Sequence, residues 1–97
     1  MDSETGRWAG NLDRFLGEQV VLDMASTLLY LGRLEAAEGD CLILTDADVH
    51  DTREGHHSKE QYLCEVRTLG VRPNRRRVHV LGRNVISISL LSEVVSD

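Results

Sequence analysis

The sequence predicts a mainly β domain: a small, strongly bent five-stranded barrel with a short N-terminal helix and a second helix inserted near residues 58–69. Three observations carry this prediction. Val78 to Leu91 reads as two strands meeting at Gly82, with Ile86, Ile88 and Leu90 alternating with Ser87 and Ser89 at the period of a half-buried strand. Three apolar stretches follow one another between Val20 and Val49 with only short turns between them. Residues 50–77 then break the alternation and carry helix signals instead.

The elements can be justified in order. Residues 1–10 are polar, end in Trp8-Ala9-Gly10, and read as a loose segment ahead of a single domain over 11–97. Asn11 is a good N-cap, and Leu12, Phe15 and Leu16 follow at helical spacing before Gly17 stops a short amphipathic helix. Val20 to Ala25 is the first strand, with Val20, Leu22 and Met24 on one face. Ser26 and Thr27 turn the chain into a long strand, Leu28 to Glu38, which Gly32 should bend rather than break. Glu38-Gly39-Asp40 reads as a hairpin turn into a third strand, Cys41 to Val49, on which Asp46 and Asp48 share a face.

His50 to His57 is polar and reads as a loop. Ser58 and Gln61 have the spacing of a capping box, and Tyr62, Leu63, Val66 and Leu69 form one apolar helix face before Gly70. A turn at Val71-Arg72-Pro73-Asn74 and the run Arg75-Arg76-Arg77 lead into the last two strands. Strands joined as tightly as these two are at Gly82 cannot pair with each other. They run on around a bend and leave edges for other strands to cover.

Composition narrows the function. No apolar run approaches the roughly 18 residues that span a bilayer, so no membrane contact is expected. Met1-Asp2-Ser3-Glu4 lacks the basic and apolar regions of a secretory signal, and a cytoplasmic location follows as the default. Cys41 and Cys64 are the only cysteines, far apart and each among apolar neighbours, which suits buried free thiols rather than a zinc site or a staple. Net charge is −5, yet residues 53–83 alone carry +5, so an acidic chain presents one basic region. The sequence contains no nucleophile elbow, P-loop or dinucleotide fingerprint, and a non-enzymatic protein without a cofactor is expected.

Several of these residues resemble the Sm/LSm family of SH3-type small barrels. Leu12, Leu16 and Gly17 with Val20, Val21 and Leu22 resemble its leading helix and first strand. Gly32 and Leu34, with Asp46, resemble the first Sm motif; Val80, Gly82, Asn84, Val85 and Ile88 resemble the second. The resemblance implies a ring, hexameric or heptameric, in which the fourth strand of one subunit pairs with the fifth of the next. Val78, Val80, Gly82, Val85, Ile86 and Ile88 would then form the subunit interface. It also implies an RNA pocket, from which this chain departs. The turn at Glu38-Gly39-Asp40 offers no aromatic or Asn, and Leu81 stands where the family has an arginine.

Three groups remain as candidate sites. Arg72, Arg75, Arg76, Arg77 and Arg83 could neutralise phosphates of RNA or another polyanion, or could pair with the acidic remainder of the chain. His50, His56 and His57 have metal-binding chemistry, but their spacing matches no closed site, so a polar loop is favoured. Asp46, Asp48 and Asp51 suit capping and loop hydrogen bonds rather than acid–base work. The inserted helix must pack its apolar face on its own barrel, on a neighbouring subunit, or on another protein.

Overall fold

The computed structural model describes residues 11–55 and 58–95. Its strands are β1 (Gln19–Met24), β2 (Leu28–Glu38), β3 (Cys41–Asp51), β4 (Arg75–Leu81) and β5 (Val85–Leu90), with helix α1 (Lys59–Leu69) between β3 and β4. They form one antiparallel sheet in the order β4-β3-β2-β1-β5. β4 and β5, neighbours in sequence, therefore lie at opposite edges, as the tight joint at Gly82 requires. That joint is a 3-10 turn, Gly82–Asn84. The predicted loose segment over residues 1–10 lies outside the described residues, as do His56 and His57.

The sheet bends where its register shifts, in β2–β3 pairing around Gly32 and Glu35 and in β1–β5 pairing at Asp23/Met24. A Cβ on Gly32 would stand 3.0 Å from the Ala47 Cα and 3.0 Å from the Thr45 carbonyl oxygen, so the two backbones can touch only because this residue is glycine. Opposite it, Asp46 adopts φ +48°, one of the left-handed positions Asp tolerates. This kink separates the two aspartates expected on one face: Asp46 is exposed, whereas Asp48 is buried.

Both faces of the sheet are covered. On the inner face Val20, Leu22, Leu34, Leu42, Leu44 and Val80 form the barrel interior, with Leu12 at one mouth. On the outer face Val21, Leu29 and Leu31 pack beneath Val66, Tyr62 and Leu63 of α1 and beside Leu91. The uninterrupted run Val20-Val21-Leu22 is explained by this double burial, since every second residue would otherwise face water. The helix spends its apolar face on its own chain; only Leu69, 65% exposed, is left out.

Two expectations are corrected here. The leading amphipathic helix is only a 3-10 turn, Asp13–Phe15, with Leu12 rather than Asn11 at its N-cap position and no side-chain cap. Few residues separate Asn11 from Gly17, whose φ is +81°, and so short a segment cannot repay helix nucleation. Arg75-Arg76-Arg77, read as a lead-in, is instead the first part of β4, with Arg75 opposite Ala47 and Arg77 opposite Thr45. The loop from His50 also begins later, because β3 continues to Asp51 before a 3-10 turn at Thr52–Glu54.

Helix α1 is fastened at its start. Ser58 Oγ accepts from the Gln61 N–H at 3.2 Å and the Gln61 side chain accepts from the Ser58 N–H at 2.9 Å, the capping box expected. Lys59 Nζ donates to the Asp23 carboxylate at 2.5 Å and to the Ser26 carbonyl at 2.7 Å, which pins the helix to the β1–β2 turn. At its end the Gly70 N–H donates to the Val66 carbonyl with φ +90°, a conformation suited to glycine.

Candidate nucleic-acid interface

The sheet order leaves β4 and β5 each with one unpaired edge, and the candidate arginines cluster on and beside β4. Alternation along β4 is set by its core residues. Val78 and Val80 face inward opposite Leu44 and Leu42, so Arg75, Arg77, His79 and Leu81 face outward. Arg77 Nη2 lies 3.0 Å from Glu35 Oε1, an exposed pair across the outer face. Arg75 Nη1 donates to the Asn74 carbonyl at 3.0 Å. Arg72 and Arg76 make no ion pair with a described residue. Exposed pairs such as Arg77–Glu35 contribute little and leave the guanidinium available to a stronger anion.

Arg83 sits apart from these. The Gly82 N–H donates to the Asp40 carbonyl at 2.7 Å, bringing the turn after β4 against the β2–β3 hairpin. Arg83 Nη1 lies 3.8 Å from Asp40 Oδ2. The two turns on which the resemblance places an RNA pocket do meet, but an aspartate and an arginine leaning toward it occupy the meeting point. Leu81, 41% exposed, faces outward beside them.

The interface candidates divide by exposure. Val80 and Gly82 are buried within their own chain, Val78, Val85 and Ile88 are half-buried at the rim of the interior, and Ile86 is 69% exposed on the free edge strand. Any pairing at this edge is therefore made by backbone groups, with Ile86 as the apolar side chain gaining cover.

One polar group was missed. Asp48 is the only buried charged residue among those described. Tyr62 donates its hydroxyl to Asp48 Oδ2, and Asn74 Nδ2 donates to Asp48 Oδ1 at 3.1 Å. Burial pushes the Asp48 carboxyl above the usual carboxylate range, while the nearby His50 pulls it back. His50, one of the metal candidates, stacks on the Tyr62 ring with centroids 3.7 Å apart and planes within 2°. Its imidazole is packed against the Tyr62 ring of α1. Among the described residues no group of three or more His, Cys, Asp or Glu could hold a metal ion. Asp51 caps the following turn by accepting from the Arg53 N–H at 2.9 Å, and the Arg53 guanidinium beside it holds its carboxyl well below the usual range. Both cysteines are free, but half-buried rather than buried as expected.

A bent five-stranded antiparallel sheet with free edges at β4 and β5 defines a small open barrel. Solved structures identify which one. An Sm protein of Pyrococcus abyssii in complex with a uridine heptamer superimposes with a TM-score of 0.56 at 18% identity, over 84% of this chain and 94% of that one. A heptameric archaeal Sm protein gives 0.52 at 20% identity, over 84% and 96%. A chain of the NatC complex bound to CoA gives 0.56 at 19% identity, over 86% and 87%. No protein-family model and no curated protein sequence matches the chain. The chain has the Sm-like fold.

Proposed function

We propose that this chain is a non-enzymatic Sm-like protein that closes into a hexameric or heptameric ring and contacts RNA through its arginine-bearing edge. The single observation that carries the reading is the pair of unpaired edges, β4 and β5, on opposite sides of one sheet. Free edges of this kind are either blunted or used, and identical subunits use both by repeating one heterologous contact until it closes.

The two edges also match in length and facing. Laid antiparallel with Leu81 opposite Val85 of the neighbour, all of β5 finds a partner in β4. Val78 then stands opposite Ile88, inward beside inward, and His79 and Arg77 fall opposite Ser87 and Ser89; Ile86, set out of the expected alternation by the shift that pairs Met24 with Val85, is exposed and lies opposite Val80. Any shift by one residue would set inward side chains against outward ones. The pairing covers Ile86 and leaves the outward arginines on the ring surface, where repetition multiplies phosphate attraction. The Sm protein solved with a uridine heptamer supports RNA as the polyanion. No described helix is long and apolar enough to cross a membrane. The composition favours the cytoplasm.

Light scattering tests the assembly: a hexamer or heptamer mass is expected, and a monomer at micromolar concentration overturns the ring. Binding of single-stranded RNA should weaken steeply with salt and be lost in the Arg75/Arg76/Arg77→Ala variant. One observation favours a second reading, a ring that scaffolds proteins without RNA. Asp40 places a carboxylate where the base-reading pocket would be, and a chain of the NatC complex shares the fold. An intact ring that binds no RNA at low salt would decide for the scaffold. The outer surface of α1 is then the surface to test for a protein partner.

A further inference from the structure

A cavity of about 350 Å³ opens on the outer face of the sheet, at the C-terminal end of α1. Val66 and Leu91, both buried, form the apolar part of its lining. The charged part is exposed: Arg33 from β2, Arg67 from α1, and Glu18 just ahead of β1. The register sets Arg33 on this face, with Gln19 opposite it on one side and Thr45 on the other, and Arg77 one strand further along. Arg77 pairs with Glu35, whereas Arg33 donates to the Gly17 carbonyl, next to Glu18. Arg67 donates to the Val94 carbonyl. Both cavity guanidiniums are thus aimed by backbone while keeping further N–H groups to donate. Neither has a carboxylate partner among the described residues.

The lining has two chemical halves. Two guanidiniums offer forked donors and positive charge, which suits a phosphate group. A phosphomonoester carries about two negative charges at neutral pH and can use both. Acceptors stand against them. Glu18 makes no ion pair with a described residue, and α1 brings the negative end of its dipole to the cavity at Gly70. Acceptors beside a phosphate site repel a bare anion, but they suit a phosphate joined to a hydroxyl-bearing body. Gln19 and Ser92 can serve such hydroxyls as donor or acceptor. No aromatic ring lines the cavity, so a base finds no stacking surface, and the volume is at the small end of ligand sites. Val66, Arg67 and Gly70 all belong to the inserted helix or its cap, so the cavity exists only because that helix folds back over β1.

We propose that this cavity binds a small sugar phosphate, its phosphate held by Arg33 and Arg67 and its hydroxyls by Glu18, Gln19 and Ser92. The site lies within one chain. It goes beyond the ring reading and depends neither on assembly nor on RNA.

The test is isothermal titration calorimetry on the full chain with ribose-5-phosphate, UMP, inorganic phosphate and uridine, alongside amide chemical shifts. Ribose-5-phosphate should bind with one site per chain, inorganic phosphate roughly tenfold more weakly, and uridine not at all. UMP binding as well as ribose-5-phosphate would extend the ligand class to mononucleotides, and exclusion of UMP would confine it to free sugar phosphates. The amides of Gln19, Gly70 and Ser92 should shift during the titration. Arg33→Ala/Arg67→Ala should lose binding. Arg33→Lys/Arg67→Lys keeps both charges and a donor for each carbonyl, so it should keep the melting temperature and bind roughly tenfold more weakly, a point charge replacing a fork. Glu18→Ala should tighten inorganic phosphate and narrow its gap to ribose-5-phosphate. The Arg75/Arg76/Arg77→Ala variant should bind ribose-5-phosphate as wild type does, so a failure of the RNA reading leaves this site standing. No binding at millimolar ribose-5-phosphate, inorganic phosphate bound as tightly, or wild-type affinity in Arg33→Ala/Arg67→Ala would overturn the site and leave the ring reading untouched.

Discussion

The two faces of the sheet are held by different physics. The inner face is closed at its centre by aliphatic side chains, with Phe15 and Tyr30 packed at its margin: Leu22, Leu34, Leu42 and Leu44 are all at most 1% exposed. The outer face is also apolar along Val21, Leu29 and Leu31, but its far side holds a carboxylate, a phenol, an imidazole and an amide packed together under α1. A purely apolar interior is insensitive to pH and intolerant of lost volume. A helix seated over a buried aspartate is positioned more specifically, at the cost of desolvating that charge.

This contrast can be broken from the inside first. Leu34→Ala removes a fully buried side chain from the closed interior and should cost about 2–5 kcal/mol, read as a fall in the denaturation midpoint with an unchanged slope. On the outer face, Asp48→Ala strands the Tyr62 hydroxyl and the Asn74 amide and should cost about 1–3 kcal/mol.

Asp48→Asn sharpens the comparison through pH. The carboxyl is raised in the folded chain, so the stability it contributes is present below the unfolded value and is lost as pH rises through the folded one. The asparagine cannot ionise and can keep both polar contacts by donating to the Tyr62 hydroxyl oxygen. The variant should therefore melt above wild type at pH 7, and the gap should close as the pH falls toward the ordinary carboxylate range. A gap that widens on acidification would contradict the cause assigned to the shift. The smallest effect belongs to the helix cap: Ser58→Ala removes the acceptor of the Gln61 N–H and should cost about 1 kcal/mol, with the inner face unaffected.

The inner face was the legible one. Val20, Leu22 and Met24, and later Ile88 and Leu90, alternate visibly, and the turn residues Gly39 and Gly82 fall where the chain reverses or bends. The capping box at Ser58 and the glycine stop at Gly70 were also readable, because they are local hydrogen-bond chemistry. The outer face was obscured by its polar members. Asp48 read as a capping aspartate at the end of the third strand and His50 as the start of a loop, because their partners, Tyr62 and Asn74, are brought to them only by the tertiary fold. Arg75, Arg76 and Arg77 read as a lead-in because no apolar alternation begins before Val78; pairing with Thr45 and Ala47 makes them a strand. The run Val20-Val21-Leu22 was the available signal that both faces are covered.

For the candidate site, the sequence identified the arginines of β4 and the departure from the base-reading residues, but it gave no signal that Arg33 and Arg67 share a cavity. Their common cavity depends on α1 folding back over β1 and β2, which no spacing in the sequence expresses.

The corner Gly82–Asn84 has a consequence beyond connecting two strands. Its first residue donates to the Asp40 carbonyl, and the Asn84 carbonyl accepts from the Ala25 N–H at 2.8 Å, so the corner is braced against both the β2–β3 hairpin and the end of β1. It acts as a protractor: the angle between the two free edges is built into each subunit before any neighbour arrives. In the proposed ring, the number of copies that completes a circle would be a property of three residues and their braces, and loosening the Asn84 brace would show as a spread of ring sizes rather than as unfolding.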